Sequence, residues 1–94
     1  MAHLLVHHKV EDYKKWKLAF DEHGVYRSKN GSKGGKVFRS SSDPNEVFVL
    51  LEWDSIENAK KFVQSDQTKE VMKDAGVVGM PAIHFVEEAA HSTM

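Results

Sequence analysis

Two periods of apolar spacing run through this chain in turn. Residues 3–9 (His-Leu-Leu-Val-His-His-Lys) are short, β-leaning and bounded by the acidic pair Glu11-Asp12, and they predict a strand. From Glu11 the spacing changes. Tyr13, Trp16, Ala19, Phe20, His23 and Tyr26 recur at intervals of three and four, while Lys14, Lys15, Lys17, Asp21 and Glu22 take the other side of a helix. Gly24 weakens its last turn by roughly 0.5–1 kcal/mol relative to alanine, and Asn30-Gly31 is its stop. Gly35–Ser41 and Glu46–Trp53 then form a hairpin through Ser42-Asp43-Pro44-Asn45, where proline pre-sets φ and Asp and Asn bond locally. Asp54 reads as the N-cap of a second helix, with Glu57 as capping-box partner and Ile56, Ala59, Phe62 and Val63 on the buried side. A short third helical piece opens at Asp66 or Thr68 and runs through Met72. Gly76-Val-Val-Gly-Met-Pro81 breaks it, and Ala82–Glu87 is the last strand.

The order βαββαβ is the split βαβ arrangement of ferredoxin-like folds, an α+β class with one four-stranded antiparallel sheet. The first and third strands are its centre, and the second and fourth its edges. Residues 1–89 make one domain without repeats or linkers, and residues 90–94 are a tail expected to fray. Two helices can cover one face of such a sheet. Val47, Val49 and Leu51 point one way, but Phe48 and Leu50 point the other. Left wet, that second face would be a large apolar patch. A second copy of the chain covers it most simply, which predicts a symmetric homodimer joined sheet against sheet.

Composition narrows the chemistry. Thirteen Lys and Arg against fourteen Asp and Glu give a net charge of -1, so the basic excess that nucleic acid attracts is missing. The absence of cysteine excludes a disulfide framework, a thiolate nucleophile and a Cys-ligated metal centre. Apolar runs are too short to span a membrane, and Met1-Ala2-His3-Leu4-Leu5-Val6 runs straight into charge, unlike a signal peptide. A cytoplasmic domain is expected.

Several segments together resemble the dimeric α/β-barrel superfamily, and within it the proteins grouped with antibiotic biosynthesis monooxygenases, some of them cyclase-like. They are Val10-Glu-Asp-Tyr13 leading to Trp16, Phe20-Asp-Glu-His23, Gly31-Ser-Lys-Gly-Gly35, Asp43-Pro-Asn-Glu46 before Val49-Leu-Leu-Glu-Trp53, and Gly76-Val-Val-Gly79. The resemblance covers residues 2–88. It implies a dimeric barrel and a cofactor-free monooxygenase or cyclase acting on a small aromatic or hydrophobic substrate. The haem-degrading members use an Asn, Trp and His constellation. Here the first strand carries His3, His7 and His8 and no asparagine, so haem binding ranks as a distant third reading. The rival of another class is a non-catalytic homodimer, ligand-binding or stress-related.

Six histidines raise the question of a metal. On a strand, His3 and His7 lie roughly 13 Å apart and His7 and His8 project to opposite faces, so no metal site is assigned. His23, on the apolar stripe, is a candidate to move a proton to or from an acidic aromatic substrate, against the reading of a hydrogen-bonded core histidine. His84, between Ile83 and Phe85, is the second catalytic candidate on the same terms. Trp16, Phe20, Tyr26, Trp53 and Phe62 are candidate substrate contacts, or simply core. Arg39 would bind an anionic group, or solvate an edge strand. The run Asn30-Gly-Ser-Lys-Gly-Gly-Lys-Val37 lacks the first glycine and the following Ser or Thr of a phosphate loop, and reads as an ordinary loop.

Overall fold

A computed structural model of the chain describes residues 2–92. Its elements are β1 (Ala2–Val10), α1 (Tyr13–Glu22), α2 (Gly24–Lys29), β2 (Ser32–Arg39), β3 (Glu46–Trp53), α3 (Ile56–Gln64), α4 (Asp66–Asp74) and β4 (Val77–Glu87). The sheet is antiparallel in the order β2-β3-β1-β4, so the first and third strands are central as expected. This is the ferredoxin-like α+β architecture, with each helical layer split in two. Gly24 is where the first splits: α1 ends at Glu22, and α2 begins again at the glycine. Asn30 then caps α2, and Gly31 leaves it at φ 115°.

Caps and turns follow from short polar side chains. Asp12 caps α1 by accepting from the Lys14 amide at 3.0 Å. The cap of α3 is Ser55 rather than Asp54: its hydroxyl accepts from the Asn58 amide at 3.1 Å, while Asp54 takes the Asn58 side chain. A hydroxyl one residue later reaches the orphan amide directly, which displaces the expected capping box. α4 starts at Asp66, the earlier of the two expected starts, with Ser65 as its cap, and runs on to Asp74 rather than ending at Met72. In the β2–β3 turn the Asp43 carboxylate accepts from the Asn45 amide at 2.9 Å.

The glycine-rich run is strand, not loop. β2 starts at Ser32, and Gly35 lies against the β3 backbone so closely that a Cβ there would sit 1.9 Å from the Leu50 carbonyl oxygen. That approach demands glycine. β4 also begins earlier than expected, at Val77, because a bulge absorbs the Gly79-Met80-Pro81 interruption. Its register against β1 shifts between His7 and Lys9. An edge strand tolerates a proline at such a bulge.

The core lies between the helices and one sheet face. Leu4, Val6 and Val10 of β1 and Val47, Val49, Leu51 and Trp53 of β3 are buried there, with Trp16, Ala59 and Phe62 from the helices. On the opposite face, Leu5, Phe48 and Leu50 are half-buried and Phe38 and Val86 are exposed. No helix among the described residues is long and apolar enough to cross a membrane. Residues 90–92 join no helix or strand, and residues 93 and 94 of the expected tail lie outside the described residues.

Candidate functional site

Helices and sheet do not close completely on each other. A cavity of about 80 Å³ remains between α1, α3, α4 and the sheet. Its walls are Leu4, Val6, Val49, Leu51 and Ile83 from the strands, Trp16 and Phe20 from α1, and Phe62, Val63, Val71 and Met72 from the α3–α4 layer. Four side chains interrupt this apolar lining with polar atoms: His8, His23, Arg27 and Thr68.

Each is placed by a local feature. His8 follows Leu4 and Val6 on the helix side of β1, and is only 6 % exposed. It sits at the register shift, where it has no partner on β4. Bulges of this kind re-aim side chains. Its ring meets Trp16 edge-on, centroids 5.5 Å apart, and its Nδ1 has no hydrogen-bond partner. His23 occupies the α1–α2 junction, stacked on Tyr26 at 4.7 Å and 5.9 Å from Phe62, with Nε2 buried and also without a partner. Arg27 lies one turn on. Its guanidinium stands 3.7 Å over the Phe20 ring and donates to the Phe20 carbonyl at 2.8 Å. Thr68 is occupied by the Ser65 cap.

Electrostatics favour neutral imidazoles here. Burial pushes the His8 pKa down, helped by the neighbouring His7, while a backbone group of Lys9 opposes the shift. Burial lowers His23 as well, with the Arg27 charge adding to it. A neutral imidazole carries one donor and one acceptor nitrogen. The two histidines that line the cavity therefore each carry one acceptor and one donor nitrogen.

The depressed His8 pKa has a measurable consequence. Below pH about 6.5 the unfolded chain binds this proton and the folded chain does not, so the unfolded state gains as pH falls. Stability is complete above that pH and is lost downward until the folded pKa is reached, at a slope of at most about 1.4 kcal/mol per pH unit for one proton. Urea titrations across this range should show a shallower acid loss in His8→Gln than in the unaltered chain.

Of the residues the sequence singled out, the structure brings His23, Trp16, Phe20 and Phe62 to the cavity. Tyr26 stands behind His23, its hydroxyl bonded to Ser65 at 3.2 Å. Trp53 is wholly buried against Phe62 and does not line the space. Arg39 covers the Tyr13 ring at 4.0 Å and bonds the Pro44 carbonyl, away from the cavity. His84 is on the other sheet face: Ile83 and Phe85 face the helices, so alternation sends His84 outward, paired with Leu5. The sequence weighs His8 only as a metal ligand and does not single out Arg27. The available signal for His8 was its even spacing from Leu4 and Val6; for Arg27, its spacing of four from His23. Among the described residues no group of three or more His, Asp or Glu is arranged to hold a metal ion.

Similar architectures occur among solved structures. A Bordetella bronchiseptica protein provisionally named an antibiotic biosynthesis monooxygenase matches at TM-score 0.78 and 16% identity, over 95% of this chain and 97% of its own. A variant of SnoaB, a cofactor-independent oxygenase from Streptomyces nogalater, matches at TM-score 0.77 and 7% identity, over 99% and 97%. A conserved protein from Methanosarcina mazei matches at 0.71 and 15%, over 93% and 91%. No protein-family model matches the chain, and no curated protein does. The polypeptide has the fold of the antibiotic biosynthesis monooxygenase-like proteins.

Proposed function

We propose that the protein is a cofactor-independent monooxygenase of a small aromatic substrate, acting as a homodimer. The observation that carries this reading is the pairing of two buried, unpartnered imidazole nitrogens with an otherwise apolar cavity. In the proposed reaction His23 accepts a proton from an acidic methylene beside the ring. His8 donates a hydrogen bond to the oxygen that gains charge as the carbanion delocalises. The carbanion passes its electrons to dioxygen, forming a C–O bond to a peroxide that takes a proton back from His23. Loss of the remaining C–H proton with departure of hydroxide breaks the O–O bond and leaves a carbonyl and one water. One dioxygen is consumed per methylene. Trp16, Phe20 and Phe62 hold the ring and exclude water.

Size restricts the substrate. A cavity of about 150 Å³ accommodates benzene, and this one has about 80 Å³. A ring therefore enters fully only as the lining yields, and Met72, an unbranched thioether among the lining side chains, is suited to do so. The half-buried Leu5, Phe48 and Leu50 on the far sheet face support the homodimer.

An oxygen electrode tests the reading with anthrone and the smaller indanedione, each carrying one acidic methylene, in air and under nitrogen. Stoichiometric oxygen uptake with the corresponding ketone as product is the expected result, with indanedione turned over faster. Binding without oxygen uptake would favour the non-catalytic ligand-binding dimer instead.

A further inference from the structure

The cavity has a neighbour that shares its wall. A groove of about 450 Å³ runs between the α1–α2 junction and the glycine-rich start of β2. Phe20, Arg27 and Leu51 line both spaces. We infer that this groove is an anion subsite and that the ligand is a small aromatic carboxylate, its ring in the cavity and its carboxylate against Arg27 and Lys33. The inference rests on the cavity being a ligand site, as proposed above, and adds the substrate's charge.

Three observations converge on it. First, Arg27 is half-buried and, among the described residues, makes no ion pair. Burial lowers its pKa, and the nearby Asp21, which opposes that shift, is itself held by Lys17 at 2.7 Å. Its stacking on Phe20 and its bond to the Phe20 carbonyl hold the guanidinium plane at the boundary of the two spaces, with donors to spare. Second, the charged residues lining the groove are Arg27, Lys33 and Lys36, without one carboxylate. Third, the facing wall has no side chain at Gly34 and Gly35: a Cβ at Gly34 would meet nothing within 4 Å. A planar guanidinium fork suits a carboxylate in two-pronged contact. The apolar cavity beyond Phe20 suits a ring and not a second charge.

The test is binding by calorimetry at neutral pH, with benzoate, its neutral isostere benzamide, and acetate. Benzoate should bind at least about tenfold more tightly than benzamide, the effect of one charge-assisted hydrogen bond, and acetate should not bind measurably. Arg27→Gln should remove most of the preference for benzoate over benzamide. Equal affinity for benzoate and benzamide, or undiminished benzoate binding by a folded Arg27→Gln variant, would overturn the subsite. The ligand comparison uses the unaltered protein, so it decides the matter even if the variant does not fold. Binding is read without oxygen. Benzoate preference in a protein that consumes no oxygen leaves this subsite standing and removes the oxygenase, while turnover of indanedione without any benzoate preference does the reverse.

Discussion

Trp53→Ala should lower the unfolding free energy by about 3–5 kcal/mol, the cost of emptying a large aromatic site in a packed core. A chain of 94 residues has about 5–14 kcal/mol in all, so this one change removes a large share. Trp53 is 0 % exposed, ends β3 and lies 5.0 Å from Phe62, joining the sheet to α3. Its indole Nε1 is buried without a hydrogen-bond partner. Leaving such a donor unsatisfied costs about 1–3 kcal/mol, which Trp53→Phe relieves while keeping most of the ring. The phenylalanine variant should therefore lose far less than the alanine one. Urea unfolding followed by the fluorescence of Trp16 measures both. Equal losses for the two would mean that Nε1 contributes no strain to the core.

His23→Phe should reduce oxygen uptake by about 10²–10⁴-fold, the usual contribution of a positioned base. For His8→Phe the expected loss is about 10²–10³-fold, that of one oxyanion donor. Stability separates these roles from a merely structural one. His8 carries an unsatisfied buried nitrogen in an apolar setting, so phenylalanine in its place should leave the protein as stable or more so. A rate that falls while stability holds or rises marks a functional histidine. Lost stability at an unchanged rate would assign His8 to the core. Steady-state oxygen uptake and urea unfolding on the same samples make the distinction.

Much of the architecture was legible in single residues. Alternation in Glu46–Trp53 divided its side chains between two faces, and that division holds along the whole strand, while packing decided that Val47, Val49 and Leu51 take the helix side. The three-and-four spacing from Tyr13 located the helix that walls the cavity, and His23 on that stripe lines the cavity. His84 shows where local pattern ran out. An apolar strand with one histidine looks alike whichever face the histidine takes, and the face is decided by pairing with Leu5. His8 shows the converse. Its even spacing from Leu4 and Val6 puts it on their face of β1, but nothing local tells that this face borders a cavity.

What the sequence determined by itself was whatever depends on neighbours along the chain: the order of elements, the two apolar faces of the sheet, the turn at Asp43–Asn45, and the exclusion of thiol chemistry by composition. The tertiary structure decided the rest. It placed Ser55 rather than Asp54 at a cap and drew the glycine run into β2 against the Leu50 carbonyl. It also set a β4 bulge opposite His8 and Arg27 between two spaces. Periodicity reports the direction of a side chain relative to its own backbone. A site is a meeting of side chains from four or five elements, and its contents follow from register and packing, which no local period encodes.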